Sequence, residues 1–169
     1  TFGESETQKL LAGIRIEQEK ITKKFYSEYK ELRKELIKNI VKNNDILKSE
    51  FAAKVVEKAQ KIIDRIVFIS FCEDLDLLQE DKLQEIVQLN EKAGIPVWSV
   101  MKSYFDAIDR GNEKMGVPEG YNGELFKADT ELDNLKIDDE ICKKFIEFGK
   151  YDFSEDLSIN ILGHIFEQS

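Results

Sequence analysis

The chain holds one histidine, two cysteines, two prolines and one tryptophan among 169 residues, and each scarcity closes off some chemistry. His164 alone leaves no histidine pair for a zinc site and little of the usual acid–base machinery. With no Gly-x-Ser-x-Gly elbow beside it, His164 reads as a structural or surface residue. Cys72 and Cys142 form no Cys-x-x-Cys pair and are expected to be buried thiols in a reducing cytoplasm. The two prolines precede Val97 and Glu119, so neither an Asn-Pro-Pro-Tyr methyltransferase motif nor a Pro-Asp nuclease motif is present. No glycine-rich phosphate cradle occurs either. No apolar run approaches the roughly 20 residues of a membrane helix, and the N-terminus lacks a signal-peptide pattern, so no membrane partner is expected.

What is present is a mixture of 41% hydrophobic and 35% charged residues, enough apolar material for one globular domain without disulfides or metal. The chain begins with Thr1 rather than Met, and residues 1–169 are read as one helical domain cut from a longer protein. Its net charge of -9 is unevenly spread, with +4 over residues 1–71 and -13 over residues 72–169. Such a division suits two halves that face different partners or each other. An acidic protein is a poor free-standing nucleic-acid binder, because phosphate neutralisation supplies most non-specific affinity. The basic first segment is the exception.

From about Glu4 to Asn43 there is no proline and one interior glycine, Gly13, which predicts a single long helix within residues 1–45. At about 100° per residue, Leu11, Ile14, Ile21, Phe25, Tyr29, Leu32, Leu36 and Ile40 share one side. Lys20, Lys23, Lys24, Lys30, Lys34, Lys38 and Lys42 gather on the other. The apolar stripe is expected to pack on the body, residues 49–169, and the lysines to face outward. A solvated face is the plain reading of those lysines, since Glu31 and Glu35 interrupt the row; a rail for DNA phosphates is the functional one.

A second helix is expected from Ser49 to about Asp74, apolar nearly all round from Ile62 to Cys72 and therefore central. Arg65, Glu73 and Asp74 are expected to pair with one another or with neighbouring helices; Glu73, Asp74 and Asp76 as a Mg²⁺ site is the weaker alternative. Asp81 is placed to cap a short third helix that ends at Gly94. Pro96 suits the first turn of a fourth, whose Val97, Val100, Met101, Tyr104, Phe105 and Ile108 share a face. Residues 111–137 carry four of the nine glycines and predict one long ordered loop, anchored by Tyr121, Leu125 and Phe126 and turned at Asn122-Gly123. Asp138 begins another helix with Ile141, Phe145 and Phe148 inward and Gly149 at its end, and a last one starts at Ser154 or Asp156. No strand pairs stand out. The fold class is therefore all-α, an irregular helical bundle.

Three segments in order carry a resemblance: Arg65 to Leu78, then Tyr121-Asn122-Gly123-Glu124-Leu125-Phe126 with Leu135-Lys136-Ile137, then Ile161 to Gln168. Together they resemble the helical region of type IIG restriction-modification enzymes and related adenine-specific DNA methyltransferases, over roughly residues 15–169. The family often has a second glycine where Glu124 stands and tyrosine where Phe166 stands. Its nuclease motif and methyltransferase motifs are missing here, so the likeness is to the connector alone.

The resemblance implies a non-catalytic connector and scaffold domain of a cytoplasmic enzyme that methylates DNA, with or without a fused endonuclease. S-adenosylmethionine and Mg²⁺ are implied for the parent and neither for this segment. Implied partners are DNA, through the parent, and the adjacent nuclease and methyltransferase domains. Ile161, Gly163, Ile165, Phe166 and Glu167 are the residues expected to dock on the methyltransferase. The alternative is a protein-interaction module of a multi-subunit DNA modification or phage-defence system, with the acidic half meeting a basic subunit.

Overall fold

A computed structural model describes residues 2–45 and 49–150. The described residues are all helix and connecting loop, with one isolated antiparallel bridge, Asn112 to Val117, and no strand. The helices are α1 (Phe2–Asn43), α2 (Ser49–Asp74), α3 (Lys82–Ala93), α4 (Val97–Arg110), α5 (Thr130–Asp133) and α6 (Asp139–Phe148). The predicted last helix, with Ile161, Gly163, Ile165, Phe166 and Glu167, lies outside the described residues.

The core forms around α2, where Ile62, Ile63, Ile66, Val67 and Ile69 are fully buried. This nearly all-round burial matches the apolar run that marked α2 as central. Against it lie α1, through Phe25, Leu36 and Ile40, and α6, through Phe145 and Ile146. The α1–α2 contact also contains a buried polar pair, the Tyr29 hydroxyl donating to Asp64 Oδ1 at 2.8 Å. Burial and the adjoining carboxylate raise the Tyr29 hydroxyl well above the usual phenol range, so it remains a donor.

α6 runs antiparallel to α1. Asn39 and Asp138 exchange two hydrogen bonds at one end, Nδ2 to Oδ2 at 2.8 Å and backbone N–H to Oδ1 at 3.0 Å. At the other, the Phe148 ring stacks on Phe25 at 4.9 Å. Gly149 then closes the helix under α2, where a Cβ would stand 2.6 Å from Ser70 Oγ.

Three details differ from the sequence-based expectations. The apolar stripe of α1 packs on the core from Ile21 onward, whereas Leu11 is 55% exposed and its neighbour Leu10 66%; the side chain of Ile14 lies outside the described residues. Helical period tells which residues share a face, but not how far along the helix another element covers it. Asp81 does not cap α3, because its backbone is left-handed (φ 63°) and its side chain makes no capping bond. The N-terminus of α4 is instead satisfied from a distance, with the Val97 N–H donating to Asp139 Oδ1 of α6 at 2.9 Å. Finally, residues 111–137 are not wholly irregular, since they contain a 3-10 turn at Glu113–Met115 and the single turn α5.

Candidate functional site

The segment from Tyr121 to Ile137 contains the central motif of the resemblance and has only α5 as regular structure. Its backbone carbonyls therefore need partners from elsewhere. Side chains of the surrounding helices supply them. Arg65 on α2 donates from Nε to Leu125 O at 2.7 Å and from an Nη to Lys127 O at 3.1 Å. Lys102 on α4 donates to Asp133 O at 2.9 Å, and Trp98 Nε1 to Leu135 O at 3.0 Å. Asn44, just past α1, pairs in both directions with the backbone of Lys136 at 2.9 and 3.0 Å.

Arg65 is the centre of this latch. It is 1% exposed, and its guanidinium lies 5.0 Å from the Phe105 ring centroid and 5.5 Å from that of Phe126. Burial works against its charge, while Asp133, Asp129 and Asp109 favour it. An arginine stays protonated under such opposing influences. The sequence-based pairing of Arg65 with Glu73 or Asp74 is replaced by backbone carbonyls 60 and 62 residues downstream.

One and two turns before Arg65, Lys61 and Lys58 reach the carboxylate of Asp129 at 3.0 and 2.8 Å. The Asp129 side chain also accepts from the Leu132 N–H at 3.1 Å, which starts α5. Desolvation opposes its charge, but the lysines and this N–H outweigh it and hold the carboxyl far below the usual range. A depressed folded-state pKa contributes stability that is present above the unfolded value and lost as pH falls below it. Asp129→Asn is accordingly expected to cost about 1–2 kcal/mol near neutral pH and to flatten the acid limb of stability below about pH 4. Urea melts of both proteins across that range check this.

Within the motif the residues divide sharply. Phe126 is buried against Phe68 and Phe105, and Leu125 is partly buried. Tyr121 is anchored at both ends of the residue: its N–H donates to Ile108 O at 2.8 Å and its hydroxyl to Leu77 O at 2.8 Å. Asn122 and Gly123 are exposed. Asn122 takes the left-handed turn conformation (φ 49°), while Gly123 does not, and a Cβ there would meet nothing within 4 Å. The glycine this loop requires is Gly120, whose Cβ would stand 2.2 Å from Asp109 O.

The lysines predicted to face outward do so: Lys20, Lys23, Lys24, Lys30, Lys34 and Lys38 are all exposed along α1. Lys24 lies 4.0 Å from Glu28, and the interrupting Glu35 engages Lys144 of α6 at 3.2 Å.

Glu73 occupies a different environment. Its Oε1 is buried without a partner, and burial together with Asp81, Asp74 and Glu80 pushes its carboxyl up to about 7, against one backbone N–H from Lys82. The sign is opposite to Asp129: the folded protein holds this proton longer than the unfolded chain, so stability falls as pH rises from the ordinary carboxyl range to about 7. Glu73→Gln is expected to stabilise the protein by about 1–2 kcal/mol at pH 8, an amount reduced for partial solvent screening, and to change nothing below pH 4. Thermal melts at the two pH values decide it.

Among the described residues no three His, Cys, Asp or Glu side chains converge to hold a cation. Cys72 and Cys142 are buried free thiols, and burial raises both, Cys72 to about 11. Such thiols are poor nucleophiles at neutral pH. Among the described residues no helix is long and apolar enough to cross a membrane. The chain matches no protein-family model, and no curated protein or solved structure matches it.

The latch donors Lys58, Lys61, Trp98, Lys102 and Asn44 were not singled out from sequence. One signal was available: Lys58, Lys61 and Arg65 follow one another at three and four residues on a helix otherwise marked as central. A basic stripe on such a helix needs acceptors.

Proposed function

We propose that the chain is the helical connector of a DNA restriction-modification enzyme, a non-catalytic scaffold that holds a methyltransferase, with or without a nuclease, in fixed geometry on DNA. The observation that carries this reading is the latch. Tyr121, Leu125 and Phe126, the centre of the resemblance, are used for fixing a loop to α2, the turn after it and α4, with Arg65 of the same resemblance as the clamp. Fixed geometry is what two modules working on one duplex need, because displacements of about 1 Å matter at an active site.

DNA enters the reading through the exposed lysine row of α1, which supplies phosphate contacts without base recognition. The parent's S-adenosylmethionine and Mg²⁺ belong to neighbouring domains. Fluorescence anisotropy with a duplex of arbitrary sequence tests the DNA part. Binding should be weak, fall steeply between about 50 and 200 mM salt, and weaken further in Lys30→Glu/Lys34→Glu. Tight binding indifferent to salt, or to that double substitution, contradicts it. The reading frame on either side of the chain tests the rest: absence of a methyltransferase downstream overturns the connector assignment.

A further inference from the structure

The Asn122-Gly123 turn of the motif loop takes part in the latch through one backbone hydrogen bond alone, the Asn122 N–H to Asp109 O at 3.2 Å. Among the described residues, neither the Asn122 side chain nor the Gly123 N–H has a hydrogen-bond partner. At the other described asparagines one or the other is engaged. The side-chain amides of Asn39, Asn43, Asn44 and Asn90 donate, and Asn112 Oδ1 accepts from the Lys114 N–H. Asn134 is followed by the Leu135 N–H, which donates to Leu132 O at 3.2 Å.

The turn is open to water as well. Asn122 and Gly123 are exposed, and a Cβ at Gly123 would meet nothing within 4 Å. A glycine here leaves its amide nitrogen unshielded and its backbone torsions free. The chain is held on either side, by the Asn122 N–H upstream and by Leu125 O downstream, which accepts from Arg65 Nε at 2.7 Å. Turning the peptide plane between Asn122 and Gly123 breaks no hydrogen bond of its N–H. That rotation is what brings Gly123 N against Asn122 Cγ.

We propose that Asn122 is a modification site of the folded protein, converted by the adjoining main chain to aspartate and isoaspartate. The Gly123 amide gives its proton to a solvent base, and its nitrogen forms a bond to Asn122 Cγ. The Cγ–Nδ2 bond breaks, and Nδ2 takes up a proton and leaves as ammonia. Water then opens the resulting five-membered imide at either of its carbonyls. Opening at Cγ restores the ordinary chain as aspartate; opening at the main-chain carbonyl leaves the chain running through Cβ and Cγ as isoaspartate. One water is consumed, one ammonia is released, and one negative charge is gained beside the exposed Glu119 and Glu124. The isoaspartate form also lengthens the main chain by one carbon between the two anchors. Because the first step needs a deprotonated amide, the reaction quickens as pH rises. It is independent of the connector reading, since it concerns only the chemistry of this turn.

Peptide mapping by mass spectrometry, after incubation of the folded chain at neutral and at mildly alkaline pH, reads it directly. The peptide carrying Asn122 should gain one mass unit, split into aspartate and isoaspartate forms, and do so faster at the higher pH. The same chain unfolded in guanidinium gives the rate without any fold, and the folded rate should lie within about tenfold of it. Gly123→Ala fits the open space at that position. It should slow the conversion about tenfold or more by shielding the nitrogen. Circular dichroism confirms that the chain and the variant stay folded during incubation. An Asn122 peptide still intact in the folded protein once the unfolded chain has fully converted overturns the proposal. Equal conversion at Asn39 or Asn90, or a rate that Gly123→Ala leaves unchanged, overturns it too.

Discussion

Arg65→Ala is expected to lower stability by about 3–5 kcal/mol, the range for breaking a buried hydrogen-bonded charge. Three losses add together in this one substitution. Two charge-assisted bonds to Leu125 O and Lys127 O disappear. Those part-buried carbonyls lose that donor, and the penalty for an unpaired acceptor applies only to the extent that water cannot replace it. The space between the Phe105 and Phe126 rings is emptied of the guanidinium that packs on both. Arg65→Lys separates these contributions. A lysine keeps the charge but cannot reach two carbonyls with a planar fork while stacking on two rings, so about half the loss should remain. For a chain of this size about 1 kcal/mol corresponds to 2–4 °C, and the alanine variant should melt roughly 10 °C lower. A drop of only a degree or two would mean that the loop is held by its apolar anchors and not by the clamp.

Gly120→Ala is the second large effect, about 2–4 kcal/mol, as expected where an added methyl group meets backbone that cannot move aside. Its Cβ would stand 2.2 Å from Asp109 O, 2.6 Å from Arg110 C and 2.8 Å from Arg110 Cα. The loop must cross the end of α4 at this distance for the Tyr121 and Asn122 N–H groups to reach Ile108 O and Asp109 O at 2.8 and 3.2 Å. Gly111 makes room from the other side, where a Cβ would come within 2.9 Å of Gly120 N. Gly123→Ala is the matched comparison. Gly123 belongs to the motif and Gly120 does not, yet Gly123 has open space around it and no left-handed backbone. Its replacement should change stability by less than about 0.5 kcal/mol. Equal effects of the two substitutions would remove the claim that close approach, and not the motif glycine, shapes this turn.

Much of the architecture was readable because it rests on local rules. The extent of α2, the stop of α3 at Gly94 and the start of α4 after Pro96 follow from apolar period, a left-handed glycine and a fixed proline φ. The inward residues of α6, Ile141, Phe145 and Phe148, follow from the same period. What could not be read depends on residues far apart in the chain. Asp81 has the right side chain for a helix start, but the tight exit from α2 puts it in a left-handed conformation, while Asp139 does the comparable service for α4 across 42 residues. The apolar spacing of Leu11 with Ile21 and Phe25 continues past the point where α1 loses its cover, so Leu11 ends exposed.

The same limit governs the site. Tyr121, Leu125 and Phe126 were recognisable as anchors because aromatic and aliphatic residues in a glycine-rich stretch need burial. Their polar counterparts were not, because a lysine on a helix is ordinarily solvated. Lys58 and Lys61 become half of a clamp only once Asp129, 71 and 68 residues away, is brought beside them.

Hydrogen exchange of the backbone amides from Tyr121 to Lys136 tests the central claim most directly. The amides of Tyr121, Leu132, Asp133 and Lys136 donate to Ile108 O, Asp129 Oδ1, Asp129 O and Asn44 Oδ1. If the segment is latched as one unit with the helices, these four should exchange about as slowly as the middle of α2 and should all be released together in Arg65→Ala. Exchange within seconds in the unaltered protein, with α2 still protected, would show a loop that moves independently of the body and would contradict the account.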